Sequence, residues 1–295
     1  MATTRRETGG LAAFQLSSDW VDGLVFGLLT LGGLLDLHFP WHGLALSVAL
    51  CLCAYVAAWE LCRFLGGGGC QLHDPMATTL AALVLGFAWY LSVGYDANQE
   101  ASRWVEVALS LGLMMEALRV CIALIGLLSS RKLRPLLELV LALAAGLVPG
   151  LLLTPAVLLS GPLAGTKLAL PCVLAAAILW FGLGRKHLHE NAKRRGRHPV
   201  PTTAAAVAGL LAAAALVLLG RTGSLSQGLL LPCVVVAVGA AVAARLVYDS
   251  FLLPAGAESE LGLPHLILKA RILDRLLEVC ALSAVLFVAA SVLGK

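Results

Sequence analysis

The sequence predicts an all-α fold, a polytopic transmembrane helical bundle of about nine spans, within a range of eight to ten. The composition is 60% hydrophobic and only 13% charged, with a mean hydropathy of +0.91, whereas a soluble domain is about 25% charged. The apolar residues form continuous blocks of roughly the 17–25 residues that cross the hydrocarbon of a bilayer. Because these blocks do not alternate in polarity, helices are favoured over a barrel.

The predicted spans follow the apolar blocks and end at polar or Pro- and Gly-rich connections. The first two spans meet at residues 39–43, where Phe-Pro-Trp-His-Gly is typical of a tight turn. Four aromatic residues, Trp20, Trp41, Tyr95 and Trp104, fall at predicted span ends, as expected for side chains that prefer the headgroup layer. The nine predicted spans are 20–41, 42–65, 76–95, 104–130, 135–157, 168–184, 202–219, 228–247 and 272–293.

Two regions make up the predicted domain organisation, a cytosolic N-terminal tail at 1–19 and a single transmembrane domain at 20–295. The tail has no apolar core of the kind that a secretory signal peptide requires. Glu7 and Asp19 disfavour a mitochondrial presequence, because such presequences are poor in acidic residues.

The basic residues predict a cytosolic N-terminus. With nine spans in this orientation, sixteen of the 21 Lys and Arg residues fall on the cytosolic side, as the positive-inside rule requires. Residues 185–201 form a basic cytosolic loop whose cations are expected to contact anionic lipid headgroups. His187 and His189 in this loop lack further ligands nearby in sequence, so no metal site is predicted. The predicted lipid-contacting cations are Arg185, Lys186, Lys193, Arg194, Arg195 and Arg197.

The stretch 135–167 has two interpretations, because Pro149-Gly150, Pro155 and Pro162 interrupt its apolar run. Proline removes a backbone donor and clashes with the preceding turn. In one interpretation a span is followed by a re-entrant or surface segment, and such broken helices line cavities in transporters. In the other, the span ends near Pro149 and an apolar lumenal loop follows.

Two later spans begin with similar six-residue sequences. Residues 168–173 read Leu-Ala-Leu-Pro-Cys-Val and residues 229–234 read Leu-Leu-Leu-Pro-Cys-Val, each at the start of a predicted span. Proline is tolerated in the first turn of a helix. The Pro-Cys pair indicates a duplicated hairpin, although Leu and Ala match by chance in so apolar a chain.

Glu116 and Arg119 are the most specific chemical signal in the sequence. Both fall in the interior of the predicted span 104–130, and a spacing of three places them on one helical face, where they can pair. Each charge alone costs about 2.5–3.5 kcal/mol at the centre of a bilayer. The pair is therefore expected to face the bundle interior or a wet cavity, either as a substrate, ion or proton site or as an ion pair that fixes helix packing.

The remaining charges are expected to be solvated at the membrane surface. Arg63, paired in sequence with Glu60, would snorkel at a span end, and Asp274, Arg275 and Glu278 indicate an interfacial helix that turns into the membrane. Four further acidic residues lie within about two turns of a predicted span end, namely Asp22, Asp36, Glu106 and Glu138.

These patterns predict a transporter or channel-like protein for a small solute or ion, which uses Glu116 and Arg119 with Pro149, Gly150 and Pro155 along its pathway. The alternative is a non-catalytic scaffold or a subunit of a membrane complex, whose charges hold a partner helix. A lipid-modifying enzyme built on His265, Asp274 and Glu278 is less favoured, because the sequence has no catalytic motif. No cofactor or nucleic-acid partner is predicted, and the location is an endomembrane or the plasma membrane.

Overall fold

The computed structural model describes residues 4–39, 43–65, 74–93, 100–130, 134–160, 166–184, 202–220, 227–252 and 271–293. This described part is all-helical, as predicted, and contains nine α-helices and no strand. The sixth helix continues into a π-helical turn, Trp180–Gly184. The helices are α1 Thr4–His38, α2 Leu44–Leu65, α3 Asp74–Val93, α4 Glu100–Ser130, α5 Arg134–Ser160, α6 Thr166–Leu179, α7 Thr202–Gly220, α8 Gln227–Leu252 and α9 Arg271–Leu293.

Each predicted span coincides with one of these helices, and six of them are long and apolar enough to cross a membrane. This is compatible with a multi-pass membrane protein. Two shorter apolar helices lie at 168–183 and 206–219, and α9 carries charged residues in its first two turns. The count of nine spans and the cytosolic N-terminus stay predictions. The six helical segments are Trp20–His38, Leu44–Cys62, Pro75–Val93, Glu106–Ile125, Leu139–Ser160 and Leu230–Val247.

Helix α5 decides between parts of the two interpretations of the proline-rich stretch. It runs from Arg134 to Ser160 as one helix that contains Pro149 and Pro155, so the interpretation in which the span ends near Pro149 is wrong. Pro162, where a surface or re-entrant segment would follow the helix, lies outside the described residues. Next to Pro155, the Thr154 hydroxyl donates to the Gly150 carbonyl at 2.9 Å. A membrane helix tolerates proline where neighbouring helices and Thr side chains compensate the freed backbone groups.

Glycines in α5 explain how this helix packs so closely against α3. A Cβ atom at Gly146 would lie 2.5 Å from the backbone oxygen of Ala77, and one at Gly150 would lie 2.9 Å from the Cβ of Val84. Such a Gly-x-x-x-Gly pair lets two backbones approach, which is a common basis of helix association in membranes. The resulting α3–α5 contact, the glycine seam, is the most extensive between any two helices of the described part.

The connection between α1 and α2 is fixed by a carboxylate and a glycine. Asp36, predicted to be solvated by headgroups, is instead buried and accepts hydrogen bonds from the Ala45 and Leu46 amides at 2.9 and 2.8 Å. These amides lie in the first turn of α2 and have no intrahelical partner. Gly43 adopts φ +83°, and a Cβ there would overlap Ser160 at the end of α5. The α1 end, the α2 start and the α5 end therefore meet.

The main hydrophobic core takes buried residues from every described helix except α4. Only 6% of the apolar window of α4 is buried, against 39–50% for the other five long apolar helices. Helix α4 packs chiefly against α3. It is therefore a peripheral helix, attached to the bundle along one side.

The two Pro-Cys pairs occupy equivalent places. Pro171 and Pro232 are each the sixth residue of their helix, and Cys172 and Cys233 are both buried. The duplication of a hairpin stays a prediction.

Candidate functional site

The predicted pair of Glu116 and Arg119 lies on the inner side of α4, and we call it the rim pair. Arg119 Nη1 donates to Glu116 Oε1 at 2.6 Å. The Glu116 side chain is 9% exposed, whereas that of Arg119 is 34% exposed. The two side chains therefore share one face and form an ion pair, as their spacing predicts.

Helix α3 supplies the other partners of the rim pair. The Thr79 hydroxyl donates to Glu116 Oε1 and accepts from Arg119 Nη1 at 3.2 Å. Arg119 Nη1 also lies 3.4 Å from the Pro75 carbonyl oxygen. These contacts make the rim pair a polar link between α4 and the first turns of α3.

The rim pair lies at the middle of the apolar part of α4 but contacts the beginning of the apolar part of α3. Glu116 lies in the middle of the apolar window Glu106–Ile125 of α4, but Pro75 is the first residue of the window Pro75–Val93 of α3. The pair is therefore level with one end of α3. Pro149, Gly150 and Pro155 are not brought to it, because Gly150 packs on the Ala81 and Val84 side of α3 and not on the Thr79 side.

A second, larger group of charges occupies the interior of the bundle, between α1, α6, α8 and α9. Its side chains are all less than a tenth exposed. Two ion-paired sets each place a guanidinium over the same indole ring, so the group is one connected structure. We call it the core cluster, and its members are Asp22, Trp180, Arg245, Asp274, Arg275 and Glu278.

The ion pairs of the core cluster join distant parts of the chain. Arg275 Nε donates to Asp22 Oδ1, which links α9 to α1. Arg245 Nη1 lies 3.0 Å from Asp274 Oδ1 and 3.4 Å from Glu278 Oε1, which links α8 to α9. Asp274, Arg275 and Glu278 occupy the first two turns of α9. The start of this helix therefore supplies partners to both ion-paired sets.

Trp180 lies between the two sets. The guanidinium carbons of Arg245 and Arg275 are 5.0 and 5.3 Å from the centre of its ring. A guanidinium at this distance from an indole is stabilised by the cation–π interaction, which strengthens when the cation is removed from water. Trp180 is completely buried and begins the π-helical turn at the end of α6, and such turns occur frequently at functional sites.

The topology explains why these residues meet. Asp22 lies near the start of the apolar part of α1, Arg245 lies near the end of α8, and the cluster residues of α9 lie at its start. Glu60, near the end of α2, accepts a hydrogen bond from the Ile272 amide at 3.1 Å. Because consecutive helices run in opposite directions, the starts of the apolar part of α1 and of α9 lie at the same end of the bundle as the ends of α2 and α8.

The rim pair lies at this same end. Leu61 and Cys62 of α2 pack with Met76 and Ala77 of α3 in a second, smaller apolar core. The start of α3, and with it the Pro75 carbonyl that Arg119 approaches, is therefore beside the end of α2. Both charged sites occupy one end of the bundle, one inside it and one at its edge.

One carboxylate oxygen of the core cluster is left over within the described part of the chain. Asp22 Oδ1 accepts from Arg275 Nε, but Asp22 Oδ2 and Trp180 Nε1 are buried without a hydrogen-bond partner among the described residues. A buried polar atom of this kind is costly unless it is paired. Asp22 Oδ2 is therefore an acceptor inside the bundle that has no described donor.

The expectation of headgroup solvation is wrong for this group. Asp22 is 1%, Arg275 2% and Glu278 1% exposed, so they are surrounded by protein and are not solvated by headgroups. The sequence did hold a signal for this. Charges of both signs recur at the same end of several predicted spans, and helix ends on one side of a membrane can meet. The group was missed because each charge, considered alone, could be explained by its position near a predicted span end.

The other predicted sites are not brought into either group. The cations of the basic loop, Arg185, Lys186, Lys193, Arg194, Arg195 and Arg197, lie outside the described residues, as does His265. Among the described residues, no three His, Cys, Asp or Glu side chains are arranged to hold a metal ion. No family model, curated protein or solved structure matches the chain.

Proposed function

We propose that this chain is a proton-linked membrane transporter of a small solute, and that the core cluster is its proton site. The observation that supports this is the Asp22 carboxylate, which is 1% exposed and whose Oδ2 accepts no hydrogen bond from any described residue. Charged groups inside membrane bundles are rare, and they mark ion pathways and proton relays in pumps and transporters. Six apolar helices supply the multi-pass setting that transport needs.

Asp22 is the proposed proton acceptor. Its Oδ1 is held by Arg275, while no described group donates to Oδ2. A proton on Oδ2 would remove the negative charge of Asp22 and weaken the attraction between Asp22 and Arg275. Arg275 would keep its contact with the Trp180 ring, 5.3 Å from its guanidinium carbon. Protonation would therefore loosen the link between α1 and α9 without leaving Arg275 unsupported.

The core cluster is a better proton site than the rim pair. Glu116 and Arg119 balance each other's charge and lie on a helix that contributes nothing to the main core of the described part. The core cluster instead joins four helices, so a change in its protonation acts on the relative positions of those helices. Discrete rearrangements of this kind are how transporters expose a site to alternate sides.

The test compares two isosteric carboxylate-to-amide variants in vesicles. The purified chain is reconstituted into vesicles that contain a pH-sensitive dye, and a potassium diffusion potential drives protons inward. We expect wild-type vesicles to acidify faster than protein-free vesicles. We expect Asp22→Asn to lower this excess rate at least tenfold, whereas Glu116→Gln leaves it within about twofold, since only Asp22 is required to accept a proton.

Two outcomes would refute the proposal. The first is an Asp22→Asn protein that conducts protons at the wild-type rate while its melting temperature is unchanged. The second is a wild-type protein that is folded in vesicles but produces no flux above the protein-free control. The second result would favour the alternative, a scaffold whose charges serve assembly.

A further inference from the structure

Consecutive residues of the π-helical turn at the end of α6 contact different parts of the bundle. Trp180 lies beside the two guanidiniums of the core cluster, and the ring of Phe181 is 5.9 Å from the ring of Phe26 on α1. Gly182 lies against α7, since a Cβ atom there would be 2.6 Å from the Cβ of Ala208. Contacts with α1 and α7 therefore fix the turn, and with it the position of the Trp180 ring.

The Trp180 ring is shared by the two ion-paired sets of the core cluster. Arg245 of α8 and Arg275 of α9 place their guanidinium carbons 5.0 and 5.3 Å from its centre. Both guanidiniums stay positively charged, because arginine is not deprotonated in proteins. The negative face of the indole attracts each of them. This attraction persists when a carboxylate of the cluster takes up a proton, because the ring itself does not titrate.

Two contacts of Arg275 respond differently to protonation of Asp22. Asp22 Oδ1 accepts from Arg275 Nε, and a hydrogen bond between charged groups is about twice as strong as one between neutral groups. Protonation of Asp22 therefore weakens this contact, whereas the contact of Arg275 with the Trp180 ring is kept. Because a buried charge is costly without compensation, the energy of the protonated state depends on the ring more than that of the ionised state does.

We infer that Trp180 is a positioning residue, which holds Arg275 in place while Asp22 carries a proton and transmits the change to Arg245 over the same ring. The inference rests on the proposed function, because it gives Trp180 a part in the proton cycle of Asp22. Like charges repel each other, and the negative charge of Asp22 offsets that of Arg275 as long as Asp22 is ionised. Once Asp22 is neutral, the repulsion acts on Arg245, so protonation on α1 is felt on α8.

A double-mutant cycle tests this inference without any measurement of transport. Trp180→Met, Asp22→Asn and the double variant are unfolded by titration with SDS in detergent micelles, and the neutral amide of Asp22→Asn imitates the protonated acid. A ring that only fills space would change the unfolding equilibrium constant by the same factor with Asp22 or Asn at position 22. We expect the factor for Trp180→Met to be about tenfold larger in the Asp22→Asn background, because Arg275 then loses both contacts.

Trp180→Phe protects the test against misfolding. A phenyl ring also attracts cations, but less strongly than an indole, so we expect its factor to be about threefold larger in the Asp22→Asn background. In the vesicle assay Trp180→Phe should keep the proton flux within about threefold of wild type, whereas Trp180→Met should lower it at least tenfold. Trp89→Met is the matched control for flux, because Trp89 is likewise buried but belongs to the main core on α3 and not to the core cluster.

Either of two results overturns the inference. Factors that are equal in the two backgrounds, for Trp180→Met and for Trp180→Phe alike, would show that Trp180 only fills space. Wild-type flux in a folded Trp180→Met protein, together with loss of flux in Asp22→Asn, would leave the proton site standing without a role for the ring. Absence of flux in wild-type protein would instead refute the proposed function, and the double-mutant cycle would still decide whether Trp180 holds Arg275 when position 22 is neutral.

Discussion

The rim pair and the core cluster use the same chemistry in two different settings. Each contains a guanidinium bound to a carboxylate, and each has one carboxylate oxygen, Glu116 Oε2 or Asp22 Oδ2, that lacks a hydrogen-bond partner in the described residues. The rim pair is local, since its residues are three apart on one helix. The core cluster joins residues 253 and 29 positions apart.

This difference indicates that the separation of two charged partners along the sequence, and not the presence of charge itself, determines how much their ion pair contributes to the stability of the fold. Loss of the rim pair would loosen one peripheral helix from α3. Loss of an ion pair in the core cluster would remove a buried polar link between α9 and α1 or between α9 and α8, and all three helices contribute to the main core. Three variants, ordered from the largest expected effect on stability to the smallest, test this contrast.

Arg275→Met should have the largest effect. It removes the partner of Asp22 and leaves a carboxylate buried at 1% exposure, and the loss of one member of a buried ion pair costs about 3–5 kcal/mol. The measurement is the free energy of unfolding from a titration with SDS in detergent micelles. Asp22→Asn combined with Arg275→Met should recover part of the loss, because no unpaired charge is then buried. A single variant within about 1 kcal/mol of wild type would show that the core cluster does not hold the fold.

The sequence predicted the helical class and one apolar span within each described helix, because apolar length and composition are local properties. It did not predict that α1 begins at Thr4, within the predicted tail 1–19. It also predicted the rim pair, since a spacing of three residues determines which face of a helix two side chains share. It did not predict the core cluster, whose members are brought together only by the packing of four helices. The interpretation in which α5 ends near Pro149 was wrong for the same reason. Proline disfavours a helix locally, whereas the close fit of Gly146 and Gly150 against α3 is visible only in the assembled bundle.

Gly146→Leu should have an intermediate effect, and it tests whether packing rather than charge holds α3 to the core. Even the Cβ of the new side chain would lie 2.5 Å from the Ala77 carbonyl oxygen, so the glycine seam must open. Overpacking of this kind costs about 1–3 kcal/mol. Gly239→Leu is the matched control, because a Cβ at Gly239 meets nothing within 4 Å and the gain in helix propensity is the same. Equal unfolding free energies for the two variants would show that the close packing at the glycine seam does not contribute to stability.

Arg119→Met should have the smallest effect on stability. The variant keeps the apolar length of the side chain but removes the hydrogen bonds to Thr79 and Glu116, and polar contacts between membrane helices contribute about 0.6 kcal/mol on average and at most about 1.7 kcal/mol. The unfolding titration used for Arg275→Met measures both variants on one scale. If Arg119→Met costs as much as Arg275→Met, local and long-range ion pairs contribute equally to this bundle. In that case the separation of the partners does not determine how much an ion pair contributes to stability.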